Sequence, residues 1–313
     1  MIQDVNNTVA NQKIEPLRER LNSSLVGKED VVEMVIACVL ARGHLLFDDL
    51  PGLGKTTLAK ALTSAIGGTF SRVQCTPDLL PTDITGFNVF NQKSHEFEFR
   101  AGPVFSNLLL ADEINRTTPR TQSALFEAMA ERQVTLDNET MLLANTFMVL
   151  ATQNPVESHG AYPLPEAQLD RFAIKLSIGY PSREDEIKML ADKIGKSDRV
   201  DQRPPVIGLE ELEQIQNTVG ALEVSEPVRR YLVELATATC EASNISLGLS
   251  PRGVIIWQQM SQAWAWLQGR NFVIPDDVQR VAEPVLSLRL SGKVQDTQQL
   301  IKEIVDSVPI PNR

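Results

Sequence analysis

Residues Asp49 to Leu58 read DLPGLGKTTL, and their turn closes on Gly54-Lys55-Thr56. The apolar run Leu45-Leu46-Phe47 precedes them, and a helix-compatible stretch from Thr57 to Ile66 follows. A strand that runs into a glycine turn, which then opens a helix, is the setting of a phosphate-binding loop. Pro51, Gly52, Leu53 and Gly54 supply a backbone that can close round phosphate oxygens. The helix start at Lys55, Thr56 and Thr57 adds the positive end of its dipole. Lys55 is placed to reach β- and γ-phosphates, and the Thr56 hydroxyl to sit on Mg²⁺. One position departs from the pattern G-x-x-x-x-G-K-[ST]: its first glycine falls at position 49, which is Asp49.

A second stretch completes the chemistry. Leu108-Leu109-Leu110-Ala111 reads as a buried parallel strand, and Asp112-Glu113 follow at its C-terminal end, where open α/β sheets bind ligands. Asp112 can help hold the metal that Thr56 touches, directly or through water. Glu113 can orient and polarise a water for in-line attack on a γ-phosphate. Asn154 ends a further apolar strand, Phe147 to Thr152, where its amide can bond that water or a phosphate oxygen; Asn-Pro is equally a turn starter.

Around these lie the other elements. Val31 to Leu40 reads as an apolar helix with acids in its first turn, Thr69 to Gln74 as a short strand, and Thr76 to Thr85 as a loop. Gly86 to Phe105, with its alternating Phe97-Glu98-Phe99-Arg100, reads as an exposed hairpin. Val134-Thr135-Leu136 and Met141-Leu142-Leu143 read as another. Pro119 to Glu131 is helical and Ala173 to Ile178 a strand. Strands alternating with helices predict a doubly wound α/β core. Beyond Tyr180-Pro181-Ser182 helices dominate: Arg183 to Ile194, Leu209 to Val219, Pro227 to Ala242, Arg252 to Gln268 and Pro275 to Leu288. With a proline-bearing linker at Asp201 to Pro205, this divides the chain into an α/β unit, residues 1–198, and a small all-α unit, residues 199–313.

The 313-residue chain carries 42% hydrophobic and 22% charged residues, an ordinary globular composition long enough for two domains. A net charge of −10 argues against a chain that coats nucleic acid. Cys38, Cys75 and Cys240 lie far apart without metal spacing and read as buried free thiols of a reducing compartment. No signal peptide or membrane-length apolar run is visible, which reads as cytoplasmic. His44, His95 and His159 read as bystanders.

The ordered set GLGKTT, LLLADEIN, ATQNP, LPEAQLDRF (Leu164 to Phe172) and LSPRG (Leu249 to Gly253) resembles the AAA+ ATPases. RVQCTPDLLPTDITG (Arg72 to Gly86) and AYPLPEAQLDRF (Ala161 to Phe172) are similar to the MoxR family in particular. The resemblance implies a P-loop AAA+ core with hairpin insertions followed by a helical lid. It makes Lys55 and Thr56 the Walker A residues, Asp112 and Glu113 Walker B, and Asn154 sensor 1. Arg171 becomes the finger that reaches a neighbouring subunit's nucleotide, Arg252 sensor 2 in the lid, and Val26-Gly27 the segment beside the adenine.

An arginine supplied in cis or in trans stabilises γ-phosphoryl charge; Arg171 could instead be locked to a local carboxylate, and Arg252 could be a surface residue. Arg116 and Arg120 could reach an interface phosphate. The implied function is Mg²⁺-dependent ATP hydrolysis by a ring, a hexamer in this family, with ATP between core and lid and hairpins in the pore. Chaperone-like maturation of client proteins follows, including cofactor or metal insertion, with von Willebrand factor A domain partners. A nucleic-acid motor or a slow nucleotide-gated switch are the other classes. The hairpin balances Lys93 and Arg100 against Glu96 and Glu98, unlike a single-strand groove. The Asp112-Glu113 pair speaks against a non-hydrolysing switch.

Overall fold

The computed structural model describes residues 14–136, 139–154, 162–193, 203–242, 245–292 and 296–311. Residues 14–24 form helix α1, and Glu29–Leu40 form α2. Every residue from Met34 to Leu40 is buried, as befits a helix covered on all sides. Strand β1 (Leu45–Asp48) buries Leu45, Leu46 and Phe47 completely, each worth about 1.5–3 kcal/mol of transfer free energy. Helix α3 (Lys55–Ala65) starts at Gly54, whose φ of 93° suits glycine alone, and Gly67 (φ 65°) closes its far end.

Strand β2 (Phe70–Gln74) is followed by α4 (Pro81–Thr85), inside the stretch expected to be a loop. Pro81 pre-sets the first turn, and the Leu80 amide donates to Asp83 Oδ2 at 2.9 Å. The hairpin of β3 (Gly86–Asn91) and β4 (Glu96–Ala101) comes next, paired from Gly86↔Ala101 to Asn91↔Glu96. Then come β5 (Leu108–Asp112), α5 (Pro119–Glu131), the hairpin of β6 (Gln133–Leu136) and β7 (Glu139–Leu142), and β8 (Met148–Gln153). The first unit ends with α6 (Glu166–Leu169), β9 (Ile174–Leu176) and α7 (Arg183–Lys193).

The five parallel strands have the order β2-β5-β8-β1-β9. The chain leaves β1 toward β2 on one side and later places β9 on the other, so β1 is the switch point where such sheets form their ligand crevice. Strand β9 is shorter than the expected Ala173 to Ile178 because residues 177–179 turn away to bond a side chain of the phosphate loop.

The second unit holds α8 (Leu209–Gly220), α9 (Glu226–Glu241), β10 (Ile245–Leu247), α10 (Pro251–Leu267), α11 (Pro275–Arg280), α12 (Ala282–Leu286), β11 (Ser291–Gly292) and α13 (Thr297–Ser307). The single helix expected from Pro275 to Leu288 is two, because Pro284 has no N–H for the carbonyl four residues back. Helix α13 is not among the helices expected from the sequence, although Asp296 caps it by accepting from Gln298 and Gln299 N–H at 3.0 and 3.1 Å. The expected boundary at 198/199 and the first linker residues lie outside the described residues, as does the turn at residues 137–138.

One apolar cluster runs from Leu17 and Leu21 of α1 through α2 to Leu212 of α8, Tyr231 of α9 and Trp257 and Trp266 of α10. A second lies on the other sheet face and joins Leu109, Phe126, Val149 and Phe172 to Leu288. Cys38 and Cys75 are buried thiols, but Cys240 is exposed, since it sits on the outer side of the last turn of α9. Among the described residues no helix is long and apolar enough to cross a membrane.

Candidate active site

The phosphate loop leaves the C-terminal end of β1. Its lysine is buried: Lys55 Nζ donates to the carbonyls of Asp49 and Leu50 at 2.9 and 2.8 Å. Burial pulls the ammonium below the ordinary lysine range, and the charges of Asp49, Asp112, Asp48 and Glu113 oppose that shift. Gly52 (φ 87°) leaves open space where a side chain would stand, and the amides of Lys55, Thr56 and Thr57 begin α3 without intrahelical acceptors.

Asp49 has a task that the consensus glycine could not perform. Its buried carboxylate accepts from Ser177 Oγ (2.7 Å), Ile178 N–H (2.6 Å) and Gly179 N–H (3.2 Å). The loop is thereby tied to the segment that joins β9 to α7.

Next to it, Asp112 ends β5. Its Oδ2 accepts from Arg72 Nε at 2.6 Å and its Oδ1 from the Thr152 hydroxyl at 3.3 Å. Glu113 stands in the left-handed region, φ 57° and ψ 49°, which costs a residue with a Cβ about 1–2 kcal/mol. Its amide donates to Thr152 Oγ1 at 2.8 Å, so one hydroxyl fixes both acids. Its Oε2 accepts from Gln74 Nε2 at 3.0 Å and Arg116 NH1 at 2.9 Å. Asn154 follows Gln153, the partner of Asp48 in the β1–β8 register, and is buried beside the loop.

Val26-Gly27 also reaches this end. A Cβ on Gly27, whose φ is +72°, would lie 2.1 Å from Asp185 Oδ2 of α7. A Cβ on Gly54 would lie 3.1 Å from Leu25, the residue before Val26. Lys28 Nζ donates to Tyr180 O at 2.8 Å.

The two arginines are elsewhere. Arg171 lies just before β9, where Ala173 N–H donates to His44 O at 2.7 Å, at the N-terminal end of the sheet. Its NH1 bonds the Phe126 carbonyl of α5, a local anchor that is not a carboxylate. Arg252 is exposed at the start of α10, and its positive charge acts on His44 and Arg289. From His44 to Asp49 the chain runs the length of β1, roughly 16 Å at strand rise. Both arginines therefore sit at the end of the sheet opposite their own phosphate loop. The expected seat of ATP between core and lid, with Arg252 above it, is not what this chain builds. Helix α10 lies along α2 and starts at the far end; its later half carries Trp264 under Arg280, which pairs with Asp30 at the start of α2.

Gln74 and Arg72 on β2 and Thr152 on β8 lie within RVQCTPDLLPTDITG and ATQNP, yet nothing in those motifs marks their contacts with the two acids. Their signal is parity and register alone, since Gln74 pairs with Asp112 and Thr152 with Phe47. His44 is a structural cross-link rather than a bystander. Its Nδ1 accepts from Val149 N–H at 3.0 Å and its Nε2 donates to Met129 O at 3.1 Å. Burial, then the charge of Arg132, lowers its pKa to about 3, while the Met129 bond opposes the shift. Burial, then the Asp112 and Glu113 charges, pushes the Cys75 thiol up to about 12, which keeps it protonated. His159 lies outside the described residues.

The donor set suits a magnesium-bound nucleoside triphosphate. Among the described residues no cluster of three His, Cys, Asp or Glu side chains could cage a metal alone. A hydroxyl and a carboxylate at the loop, completed by phosphate oxygens and water, is how proteins ordinarily hold Mg²⁺.

Parallel sheet, glycine turn, paired acids and flanking helices define a phosphate-loop ATPase. The family described as "ATPase family associated with various cellular activities (AAA)" matches residues 44–174, and the "AAA lid domain" matches residues 237–308. "Uncharacterized protein YeaC" of Bacillus subtilis is 46% identical over 299 residues, covering 94% of this chain and 93% of its own. "Chaperone MoxR1" of Mycobacterium tuberculosis is 38% identical over 279 residues, covering 85% and 72%. A crystal structure of a candidate ATPase from Cytophaga hutchinsonii superposes with a TM-score of 0.90 at 35% identity, covering 98% and 97%. The chain belongs to the MoxR family of AAA+ ATPases, and its reaction is ATP hydrolysis.

Proposed function

We propose that ATP binds at the turn of Pro51 to Thr57, with the loop amides and Lys55 on its phosphates and Val26-Gly27 beside the base. Thr56 and Asp112 hold Mg²⁺, which when bound neutralises charge on the β- and γ-phosphates. Glu113 orients the attacking water, and Asn154 bonds that water or a γ-phosphate oxygen. Glu113 must first leave Gln74 and Arg116, which occupy its Oε2. Arg171 and Arg252 stabilise γ-phosphate charge in the site of the next subunit.

The observation that carries this reading is their position. Lys55, Asp112 and Glu113 gather at the C-terminal ends of the strands and the two arginines at the opposite end, so one chain holds two halves of different sites. Heterologous contacts of that kind close into rings, here a hexamer in the cytoplasm. Arg116, held by Glu113, and the exposed Arg120 belong to the same rim.

A relative named "Chaperone MoxR1" supports chaperone-like remodelling of client proteins; cofactor or metal insertion and von Willebrand factor A domain partners are part of the proposal on the family resemblance alone. The β3–β4 hairpin favours a polypeptide over a nucleic acid. Phe97 is 71% exposed and Phe90, against it at 5.4 Å, 48%, while Glu96 and Glu98 offset Lys93 and Arg100. DNA that leaves hydrolysis unchanged agrees with this assignment; stimulation by DNA overturns it.

The subunit assignment is tested by mixing two inactive proteins. Arg171→Ala keeps Lys55 and Glu113 but lacks the arginine, with a loss of up to roughly 10³-fold in kcat. Glu113→Gln keeps the arginine but lacks the carboxylate. Rings containing both rebuild complete sites where an R171A subunit receives the guanidinium of an E113Q neighbour. Recovered hydrolysis is the expected result; co-assembled rings that stay inactive refute a finger in trans.

A further inference from the structure

We infer that Asp170, Ser250 and Arg289 form a polar clamp that presents Arg171 and Arg252 to the neighbouring subunit as one rigid unit. This makes all three positioning residues, and it rests on the trans reading of Arg171. Arg289 follows α12 and is buried. Its five N–H donors are fully used. Nε donates to Asp170 Oδ1 at 2.9 Å, NH1 to Val285 O at 2.7 Å and Ala173 O at 3.1 Å, and NH2 to Phe172 O at 2.5 Å and Asp170 O at 3.4 Å. The guanidinium thus grips the backbone on both sides of Arg171. The other Asp170 oxygen, Oδ2, accepts from Ser250 Oγ at 2.7 Å. That same oxygen of Ser250 caps α10 by accepting from Gly253 N–H at 3.0 Å, and Arg252 lies within the capped turn. One carboxylate therefore fixes the arginine of the α/β unit with one oxygen's partner and that of the helical unit with the other's.

Gly253 carries an independent mark of the same device. It stands in the first turn of a helix, where alanine is intrinsically the better residue. A Cβ there would meet Arg289 Cδ and Nε at 3.0 Å each, and Leu249 Cδ1 at 2.5 Å. Glycine lets the guanidinium pass against the helix backbone. Phe172, buried and edge-on to Phe126 at 5.8 Å, closes the other side. The segment carrying Arg171 is held by the lid of its own chain, so core and lid answer together to the nucleotide of the next subunit.

The test uses full-length protein and three variants, Asp170→Ala, Gly253→Ala and Arg171→Ala, each alone and mixed with Glu113→Gln. D170A removes both arms of the clamp; G253A displaces Arg289 without touching Asp170 or Arg171. Both are expected to assemble and bind ATP with an unchanged Kd, to lose kcat by about 10²-fold through misplacement of the arginines, and to leave KM in place. Asp170→Asn, which keeps an acceptor for Arg289, should recover part of the loss. Each is also expected to stay inactive with R171A, since both lack a placed arginine, and to regain hydrolysis with E113Q, whose arginines are intact. If R171A plus E113Q recovers while D170A and G253A alone keep wild-type kcat, the clamp is refuted and the trans finger stands. If D170A or G253A loses nucleotide affinity, or stays inactive in rings with E113Q that form normally, the residues act on their own site and the clamp is likewise refuted. If R171A plus E113Q does not recover, the trans reading fails and the clamp with it. Should D170A fail to fold, G253A decides alone.

Discussion

Restoring the consensus glycine at position 49 should damage this protein. Asp49→Gly brings the loop into line with the general pattern yet removes a carboxylate that holds Ser177 Oγ, Ile178 N–H and Gly179 N–H at 2.7, 2.6 and 3.2 Å. Asp49 is not among the described residues with positive φ, so glycine's conformational freedom gains nothing there. Hydrogen bonds to a charged group contribute about 1.5–3 kcal/mol each, and the buried Ile178 amide is left without an acceptor. Allowing for water reaching Ser177, the loss comes to roughly 3–5 kcal/mol, with added backbone entropy in the unfolded chain. At about 2–3 °C per kcal/mol for a chain of this size, thermal unfolding without nucleotide should fall by roughly 6–15 °C. ATP affinity should weaken as well, because Lys55 rests on the Asp49 and Leu50 carbonyls. Asp49→Asn should be intermediate: one amide oxygen still accepts, but its NH₂ must face a donor. An Asp49→Gly protein with wild-type melting and wild-type ATP affinity would show that the carboxylate does not anchor the loop.

Glu113→Gln should keep ATP binding and lose turnover, read as an unchanged Kd with no phosphate release; near-normal hydrolysis removes Glu113 from the mechanism. Gly27→Ala should melt lower and bind ATP more weakly, since its Cβ would fall 2.1 Å from Asp185 Oδ2 at a φ of +72°; an unaltered Kd would separate this segment from the base. His44, at about pKa 3 in the fold against an ordinary 6.5, is neutral when folded and protonated in the acid-unfolded chain. The unfolded state then binds more protons, so stability should fall by about 1.4 kcal/mol per pH unit as pH drops below 6.5. His44→Gln, followed by denaturant titration from pH 7 to 5, should flatten that slope; an unchanged slope refutes it.

The phosphate loop and the acid pair are legible as motifs in the sequence, because each combines a local composition with an obligatory neighbour in sequence. Hydrophobic runs such as Leu108 to Ala111 announced buried strands for the same reason. Roles that depend on register could not be read. Gln74 looks like any polar strand residue until pairing sets it opposite Asp112, and Thr152 until β8 lies beside β5. The side of the sheet on which a motif falls is likewise a property of topology. LSPRG showed an arginine at a helix start, but nothing within those residues tells that α10 begins beside His44. In the sequence Asp49 is a departure from a pattern; its contact lies 128 residues away at Ser177. Proline, by contrast, acts locally, and the break at Pro284 and the turn at Pro81 were there to be read.

The continuous packing of α2 between the sheet and α10 limits what a stroke of this enzyme can be. Swinging the helical unit away would open a seam of Trp257, Trp266, Leu212 and Ile36 to water, at about 25 cal/mol for every Å² exposed. The chain is therefore stiff along that seam, and in the proposed ring the pliant places would be where copies meet. In the proposed ring, hydrolysis would then change the angle between whole subunits, and a client would feel the ring change shape rather than a flap open.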